Sequence, residues 1–342
     1  MATRVAVIGL GYWGPNLMRN LTLIPDVQVI AGCDLSIRRL ERMMRRFPNV
    51  REFTTDCDIL LRRPDIDAVV IATPVETHYK LAKKALLHDK DVFIEKPMTA
   101  SSEEAEELIK ICEERGRILM VGHTFLYNPA VRKVKEIIDK GDLGQIYYIT
   151  STRINLGIHR KDANVIWDLA AHDFSIIIYW LGEDPLYVYT VGKDFILNGV
   201  PDVAFLHVVF PSGVIADLQV SWLAPSKVRN ITVVGSDKMI IYDDTSSYEK
   251  VRIFDSGVDY SEPETFGEFQ LSYRTGDILS PKIDSIEPLR LEMQHFIECI
   301  RERTNPLTDG YNGLRVVRAL ELAERSMKDT GLRLISEKSK KG

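Results

Sequence analysis

An aspartate and a histidine four residues apart could form a proton-accepting pair. Asp168 and His172 lie in the segment Val165 to Leu181, whose apolar spacing predicts one helix that ends at Gly182. Residues four apart share one face of an α-helix. A carboxylate beside an imidazole orients the ring and raises its pKa, which suits the ring to accept a proton near neutral pH. The same spacing also fits a surface ion pair or a buried structural histidine.

Lys96 stands at a second position that could carry chemistry. It follows the predicted strand Asp91 to Ile94 and lies between Glu95 and Pro97. The ends of parallel strands face the ligand crevice of an open sheet, and Pro97 restricts Lys96 to an extended conformation. We therefore expect Lys96 to project into a crevice. The alternative is a surface lysine in a turn, paired with Glu95.

A glycine-rich turn opens the chain and predicts a dinucleotide site. The apolar strand Arg4 to Ile8 is followed at once by Gly9, Gly11 and Gly14, and a helix begins near Pro15. In such a turn the first glycine permits the tight bend, the second lets the backbone approach a pyrophosphate, and the third lets the helix pack on the strand. The helix N-terminus offers free N–H groups to the phosphates. The alternative is a glycine-rich turn without a ligand.

An acidic residue follows the second strand where a ribose-binding carboxylate is expected. Asp34 ends the strand Val27 to Cys33 and lies about 20 residues beyond the third glycine, as in dinucleotide-binding folds. A carboxylate accepts hydrogen bonds from ribose hydroxyls and repels a 2′-phosphate, so the sequence predicts NAD rather than NADP. Arg38 and Arg39 keep NADP as the alternative, because either could reach a 2′-phosphate. The residues predicted to bind the cofactor are Gly9, Gly11, Tyr12, Trp13, Gly14, Asp34, Arg38, Thr73, Pro74, His78, Glu95 and Lys96.

Two domains are predicted from the order of the elements. Strands alternate with helices through residues 1–123, which indicates a parallel sheet and an α/β Rossmann domain. Residues 124–336 predict an α+β domain with an open, mainly antiparallel sheet of consecutive, meander-like strands. Within it, residues 243–286 look polar and irregular and are expected to form a long loop. Residues 337–342 are expected to be a frayed tail.

An open sheet with helices on one face must bury its other face. We therefore expect a homodimer or homotetramer that assembles through the strands of residues 146–242.

Composition limits the classes of partner. The 342 residues include 27% charged residues with a net charge of −5, so no overall basic field would attract nucleic acid. No uninterrupted apolar stretch reaches the roughly 18 residues that a membrane span needs. The four cysteines are scattered, without a Cys-x-x-Cys motif, and no signal sequence precedes the glycine turn, so we expect reduced thiols in the cytoplasm.

Taken together, the motifs resemble those of the Gfo/Idh/MocA oxidoreductase family. The resemblance rests on the glycine turn, on Glu95-Lys96-Pro97 after the fourth predicted strand, and on Asp168-x-x-x-His172, and it covers nearly the whole chain. It implies that Lys96 binds and polarises a reacting hydroxyl and that His172 accepts its proton beside Asp168. In many members a glycine stands two positions before the histidine, where this chain has Ala170.

A metal site is the alternative use of the same polar residues. Asp168 and His172 could hold an ion with His123 or His159, but the chain has no glutamate-flanked His-x-x-x-His pattern. Hydride removal from a secondary alcohol by a nicotinamide needs no metal. We therefore predict none.

The resemblance also indicates the class of substrate. The family includes inositol and nucleotide-sugar dehydrogenases, and the segments 153–157 and 164–169 are similar to the nucleotide-sugar members. We expect a UDP-N-acetylhexosamine type of substrate; the alternatives are an inositol or polyol dehydrogenase, an NADPH-dependent ketosugar reductase, and a non-catalytic NAD(H) sensor. The residues expected at the substrate are Lys96, Tyr127, Asn128, Arg153, Asn155, Asp168 and His172, and Arg160 and Lys161 could join Arg153 in binding a phosphate or carboxylate.

Overall fold

A computed structural model describes residues 2–157, 159, 163–260 and 271–330. The chain divides into two units, Met1–Tyr127 with Ile286–Arg318, and Asn128–Ser285 with Ala319–Gly342. The boundary expected at residue 123 is close to the first division, but the segment 286–318 packs with the first unit rather than the second. The predicted frayed tail 337–342 lies outside the described residues.

Buried apolar strands form the sheet of the first unit. Val5, Val7 and Ile71 are fully or almost fully buried, as continuous apolar runs in a parallel sheet should be. Every neighbouring pair is parallel, and the strand order β3-β2-β1-β4-β5-β6 is that of a Rossmann domain. The strands are β1 Thr3–Ile8, β2 Val27–Cys33, β3 Glu52–Thr54, β4 Ala68–Ile71, β5 Asp91–Glu95 and β6 Leu119–Gly122. The strands predicted at Arg4 to Ile8, Val27 to Cys33 and Asp91 to Ile94 are β1, β2 and β5, whereas the three-residue β3 is too short for a periodic pattern.

Helix bounds follow local capping. The side chain of Ser101 accepts a hydrogen bond from Glu104 N, and Gly116 ends the same helix with a left-handed φ of 59°. The helices are α1 Gly14–Thr22, α2 Ile37–Arg46, α3 Cys57–Leu61, α4 Val75–Leu87, α5 Ser102–Arg115, α6 Pro129–Asp139, α7 Ala171–Leu181, α8 Pro288–Glu302 and α9 Gly310–Thr330, with a 3₁₀ turn Thr124–Tyr127 and a π-helical turn Ile166–Ala170.

Two contacts explain why residues 286–318 belong to the first unit. The ring of Phe296 on α8 packs against Phe93 on β5, with centroids 5.7 Å apart. The hydroxyl of Thr308 donates a hydrogen bond to the carbonyl oxygen of Val121 on β6 over 2.7 Å. The sequence could not indicate this return, because both contacts join residues about 200 positions apart.

The second unit is built on a larger sheet of eight strands. They are β7 Ile146–Ile154, β8 Tyr187–Lys193, β9 Val203–Val209, β10 Ile215–Ser221, β11 Val228–Gly235, β12 Met239–Asp243, β13 Val251–Tyr260 and β14 Leu271–Leu279. Their order is β14-β13-β12-β11-β7-β10-β9-β8, and every pair is antiparallel except β7 with β10. The mainly antiparallel sheet is thus confirmed.

Two details of this sheet correct the sequence analysis. The strands do not form one meander, because β7 lies between β10 and β11 and pairs in parallel with β10. The expected long loop 243–286 instead contains β13 and β14, which pair with each other. Nearly every residue of β14 is exposed, so the strand lacks the alternation of buried and exposed residues that periodicity detects.

Candidate functional site

The glycine turn after β1 has the close approaches that its pattern predicts. Gly9 has a φ of +92°, and a Cβ there would lie 2.4 Å from the carbonyl oxygen of Ala72. A Cβ on Gly14 would lie 1.9 Å from the carbonyl oxygen of Gly9, so the start of α1 can pack here with glycine alone. A Cβ on Gly11 would meet nothing nearer than the Arg39 guanidinium at 3.9 Å. The second glycine therefore faces open space, where a pyrophosphate can approach the backbone.

The carboxylate of Asp34 holds the glycine turn through hydrogen bonds to the backbone. Its carboxylate accepts hydrogen bonds from Leu10 N and Ser36 N, each over 2.8 Å, and the side chain is buried. Arg39 Nη1 lies 3.3 Å from Asp34 Oδ2, and the Arg39 side chain is half-exposed. The predicted alternative contact, Arg38, is exposed. Arg39 is thus the arginine that reaches Asp34, the predicted ribose-binding residue.

The other predicted cofactor residues divide into exposed and buried ones. Tyr12 is 81% exposed, and its ring meets that of Trp13 edge-on at 5.4 Å. Thr73 and Pro74 follow β4, next to the glycine turn. His78 is buried, with Nε2 2.8 Å from the carbonyl oxygen of Thr73 and Nδ1 2.9 Å from that of Pro97. This ring therefore ties together the turns after β4 and β5.

Lys96 lies directly beyond β5, at the carboxyl edge of the sheet, as predicted. It is half-buried, and its backbone N–H donates to Glu95 Oε2 over 3.3 Å; the peptide bond to Pro97 is cis. Glu95 is buried, and loss of solvation raises the pKa of its carboxyl to about 7, against the opposing effect of Lys96.

Two buried polar residues near Glu95 and Lys96 were not connected with them in the sequence analysis. His123 follows β6, and burial, together with the charge of Lys96, lowers the pKa of its imidazole to about 3. Glu292 on α8 is fully buried, and burial raises the pKa of its carboxyl well above the usual range, with a further contribution from Glu95. A signal existed for Glu292, because it interrupts the apolar stripe Leu289, Met293, Phe296 of an amphipathic helix.

In the second unit, the helix that carries Asp168 and His172 begins at an asparagine. The side chain of Asn164 accepts hydrogen bonds from Ile166 N and Trp167 N. The predicted helix Val165 to Leu181 is present, but its first turn is π-helical before α7 begins. Such turns are frequent at functional sites.

Asp168 is oriented by a residue that the sequence did not indicate. The indole N–H of Trp222, which follows β10, donates to Asp168 Oδ2 over 3.1 Å. His159 packs edge-on against the Trp222 ring, with centroids 5.5 Å apart, and its Nε2 lies 3.8 Å from Asp202 Oδ2. His172 lies in the first turn of α7 and is half-buried.

Arg153, expected at the substrate, lies in a buried ion pair. Its guanidinium and the carboxylate of Asp173 are 3.0 Å apart, and both side chains are almost fully buried. Ser151 donates a further hydrogen bond to Asp173. Burial raises the pKa of Asp173, against the opposing effect of Arg153. Since this pair takes up charge inside the second unit, Arg153 has a structural role whatever it does at a substrate.

The remaining predicted substrate residues are also engaged. The hydroxyl of Tyr127 lies 3.1 Å from Thr308 Oγ1, and both are buried in the first unit. Asn128 caps α6 by accepting a hydrogen bond from Ala130 N, and Asn155 follows β7 half-buried. Arg160 and Lys161 lie outside the described residues.

Lys96 belongs to the first unit, and Asp168 and His172 belong to the second. Their meeting around one substrate stays a prediction.

Comparison with known proteins identifies the family. The family model described as "Oxidoreductase family, NAD-binding Rossmann fold" matches residues 3–123, and the "GFO/IDH/MocA C-terminal domain" model matches residues 131–241. The chain is 30% identical over 319 residues to scyllo-inositol 2-dehydrogenase (NAD(+)) of Bacillus subtilis, which covers 89% of this chain and 88% of that protein. The chain belongs to the Gfo/Idh/MocA oxidoreductase family. Its first domain is therefore an NAD-binding Rossmann domain, and the protein is an oxidoreductase.

A nucleotide-sugar dehydrogenase is also similar to this chain, in sequence and in structure. UDP-N-acetylglucosamine 3-dehydrogenase of Acidithiobacillus ferrooxidans is 28% identical over 246 residues, which is 70% of this chain and 74% of that protein. A solved structure of that dehydrogenase matches with a TM-score of 0.82 at 24% identity, covering 96% of this chain and 99% of the other. At this identity the structural match supports the Gfo/Idh/MocA fold.

Two features are absent from the described residues. No described helix combines the length and apolarity that a membrane crossing requires. Within the same part of the chain, no three His, Cys, Asp or Glu side chains are grouped so that they could hold a metal ion. Metal-free chemistry stays a prediction.

Proposed function

We propose that this protein is an NAD-dependent dehydrogenase that oxidises a secondary alcohol of a sugar, and that the sugar is carried by a nucleotide of the UDP-N-acetylhexosamine type. The observation that carries the proposal is the position of Lys96. It follows β5 at the carboxyl edge of the Rossmann sheet, the edge to which the glycine turn also belongs. In doubly wound sheets this edge is where ligands bind.

The glycine turn fits the cofactor. The uncrowded backbone at Gly11, the N–H groups at the start of α1 and the buried Asp34 would hold the pyrophosphate and the adenosine ribose. When bound, NAD⁺ supplies the acceptor for the hydride.

The protein's own residues handle the proton and the developing charge. In the proposed reaction His172 accepts the proton of the substrate hydroxyl, and the Lys96 ammonium stabilises the negative charge that grows on that oxygen. Asp168, held by the Trp222 indole, orients His172 and stabilises the ring once it is protonated.

The relatives support two different classes of substrate. The UDP-N-acetylglucosamine 3-dehydrogenase supports a nucleotide sugar, since its structure spans nearly the whole chain. The inositol dehydrogenase of Bacillus subtilis supports a polyol as the second candidate, because it has the higher sequence identity over most of the chain.

A substrate panel tests the proposal. Purified protein with NAD⁺ is offered UDP-N-acetylglucosamine, UDP-N-acetylgalactosamine, scyllo-inositol, myo-inositol and free hexoses, and NADH formation is followed by absorbance. We expect the highest kcat/KM with a UDP-N-acetylhexosamine. A higher value with an inositol would establish the second candidate. Cofactor binding without NADH formation from any of these compounds would contradict the proposed activity.

We further propose that the protein is a homodimer or homotetramer that assembles through the outer face of the larger sheet. Large apolar side chains alternate outward along four adjacent strands. They are Tyr148, Tyr187, Val191, Phe205 and Ile215. Exposed apolar side chains on one face of a sheet are typical of a surface covered by a second copy.

We place the protein in the cytoplasm. Cys33, Cys57, Cys112 and Cys299 are all free thiols, which suits a reducing compartment.

A further inference from the structure

The first unit brings two buried carboxyl groups together behind Lys96. Phe93 on β5 packs against Phe296 on α8. Glu95 lies two residues beyond Phe93, on the same face of the strand, and Glu292 lies four residues before Phe296, on the same face of the helix. The two elements therefore direct Glu95 and Glu292 toward one another, which agrees with the effect of the Glu95 charge in raising the pKa of Glu292.

Neighbouring groups hold both carboxyls in place. Glu95 Oε2 accepts from the Lys96 backbone N–H and lies 3.1 Å from where a Cβ on Gly122 would stand, so glycine there makes room for the carboxyl. Glu292 Oε2 accepts from the Thr124 hydroxyl over 2.7 Å. Both side chains are buried, so each carboxyl depends on these neighbours for its hydrogen bonds.

Buried polar atoms without hydrogen-bond partners lie in the same region as the two carboxyl groups. Glu292 Oε1 is buried and has no hydrogen-bond partner among the described residues. Within that part of the chain the same holds for both ring nitrogens of His123, which is 1% exposed. Buried polar atoms without partners are rare in proteins, and they concentrate where chemistry requires them.

Charge balance decides how the cluster is protonated. The groups that face it are Glu95 on β5, Lys96 after β5, His123 after β6 and Glu292 on α8. His123 is neutral in so dry a place, so Lys96 with one ionised carboxyl gives a net charge of zero. A second ionised carboxyl would leave an uncompensated buried charge, which is costly.

We propose that at pH 8 Glu95 and Glu292 form a one-proton carboxyl pair in which Glu95 carries the charge and Glu292 the proton, and that Glu292 is thereby a positioning residue for Lys96. Glu95 keeps the charge because its carboxyl accepts from the Lys96 backbone N–H and is stabilised by the Lys96 charge. Glu292 keeps the proton because its hydrogen-bond partner among the described residues is the Thr124 hydroxyl rather than a cation. The neutral Glu292 lets Glu95 hold Lys96 in a single orientation. This inference rests on the proposed function for the role of Lys96, whereas the protonation itself does not.

Infrared spectroscopy tests the protonation without any substrate. A protonated carboxyl has a carbonyl stretch that carboxylates lack. In the full-length protein at pH 8 we expect such a band, its loss in Glu292→Gln, and its presence in Glu95→Gln. In Glu95→Gln the band should titrate away at a lower pH than in wild type, because the charge that holds the proton on Glu292 is gone. A wild-type spectrum without a band that Glu292→Gln removes would overturn the proposal, and so would an unchanged titration in Glu95→Gln.

Enzyme kinetics test the positioning role. With the substrate that turns over fastest in the panel, Glu292→Ala should lower kcat at least about tenfold with little change in the KM for NAD⁺. Glu292→Gln should restore most of the loss, because a neutral group that accepts from Thr124 is retained. A Gln variant as slow as the Ala variant would show that an ionised Glu292 is needed and would refute the pair. If no sugar in the panel is oxidised, the proposed function fails, and the infrared result still decides the protonation.

Discussion

Trp222 donates its indole N–H to the carboxylate of Asp168 over 3.1 Å, and so joins the residue after β10 to the π-helical turn that precedes His172. The contact fixes the carboxylate on which the orientation of His172 is proposed to depend. It is also a hydrogen bond to a charged group, the kind whose loss costs about 1.5–3 kcal/mol. Trp222 therefore belongs to the machinery that positions the proposed base.

Removing this donor should slow the reaction more than it weakens binding. Trp222→Phe keeps most of the ring volume but leaves Asp168 without the N–H, so we expect kcat to fall about tenfold or more. The KM for NAD⁺ should hardly change. Trp167→Phe is the matched control, because its indole donates to Glu324 Oε2, also over 3.1 Å, and not to Asp168. Equal loss of kcat in both variants would mean that the effect is general to the helix.

Substitution of the proposed base separates proton transfer from cofactor binding. His172→Ala should lower kcat by about 10²–10⁴, the usual range for general acid–base catalysis, with little change in NADH affinity by fluorescence titration. Asp168→Asn should be milder if Asp168 orients the ring, whereas Lys96→Ala should reduce kcat and weaken ligand binding together. Oxidation should also fall at low pH, where a protonated imidazole cannot accept a proton. A His172→Ala enzyme that keeps most of its activity would leave Lys96 as the next candidate base.

What the sequence could predict depended on how far apart the interacting residues lie in the chain. The glycine turn, Asp34 and the position of Lys96 follow from patterns within one strand–turn–helix unit, and the structure places them accordingly. The partner of Asp168 could not be predicted, because Trp222 lies 54 residues away and nothing near it in sequence indicates the contact. The ion pair of Arg153 with Asp173 joins β7 to α7 and was equally hidden.

The π-helical turn shows another limit of pattern analysis. The spacing of Asp168 and His172 predicted a shared face on the assumption of 3.6 residues per turn. The wider π-helical turn of Ile166–Ala170 changes the angle between the two side chains around the helix axis. No residue type in the segment predicts a π-helical turn. The presence of a helix was therefore predictable, while the direction of the two side chains was not.

Cofactor preference should depend on the pair Asp34 and Arg39. The wild-type protein should bind NADH at least about tenfold more tightly than NADPH, because Asp34 repels a 2′-phosphate and occupies Arg39. Asp34→Ser should narrow or invert this ratio, since Arg39 is then available to the phosphate. The double variant Asp34→Ser/Arg39→Ala should lose that gain. Direct titration of each variant measures the ratio, and tighter NADPH binding by wild type would refute the assignment of Asp34.

Assembly should depend on the outer face of the larger sheet. Phe205 on β9 is paired in register with Val191 on β8, and both side chains are exposed, so they form an apolar pair on that face. Phe205→Asp should convert the oligomer to a monomer at micromolar concentration, as measured by light scattering. Tyr248→Asp is the control, because this side chain is 93% exposed and lies outside the strands. A wild-type protein that is already monomeric would contradict the proposed assembly.

Stability should respond to pH in opposite directions when His123 or Glu95 is replaced. The unfolded state takes up a proton on His123 below about pH 6.5, whereas burial keeps the folded imidazole neutral down to its pKa of about 3. His123 therefore contributes stability that is lost as pH falls below about 6.5. The carboxyl of Glu95 is protonated in the folded state up to its pKa of about 7 but ionises near 4.5 when unfolded, so its contribution is lost as pH rises through that range.

Urea unfolding between pH 5 and pH 6, where the pH ranges of both groups overlap, separates the two contributions by comparison of each variant with wild type. His123→Phe should make stability fall more steeply with rising pH, and Glu95→Gln should make it fall less steeply, each by about 1.4 kcal/mol per pH unit. Parallel stability curves for wild type and both variants would show that neither group changes its protonation on folding.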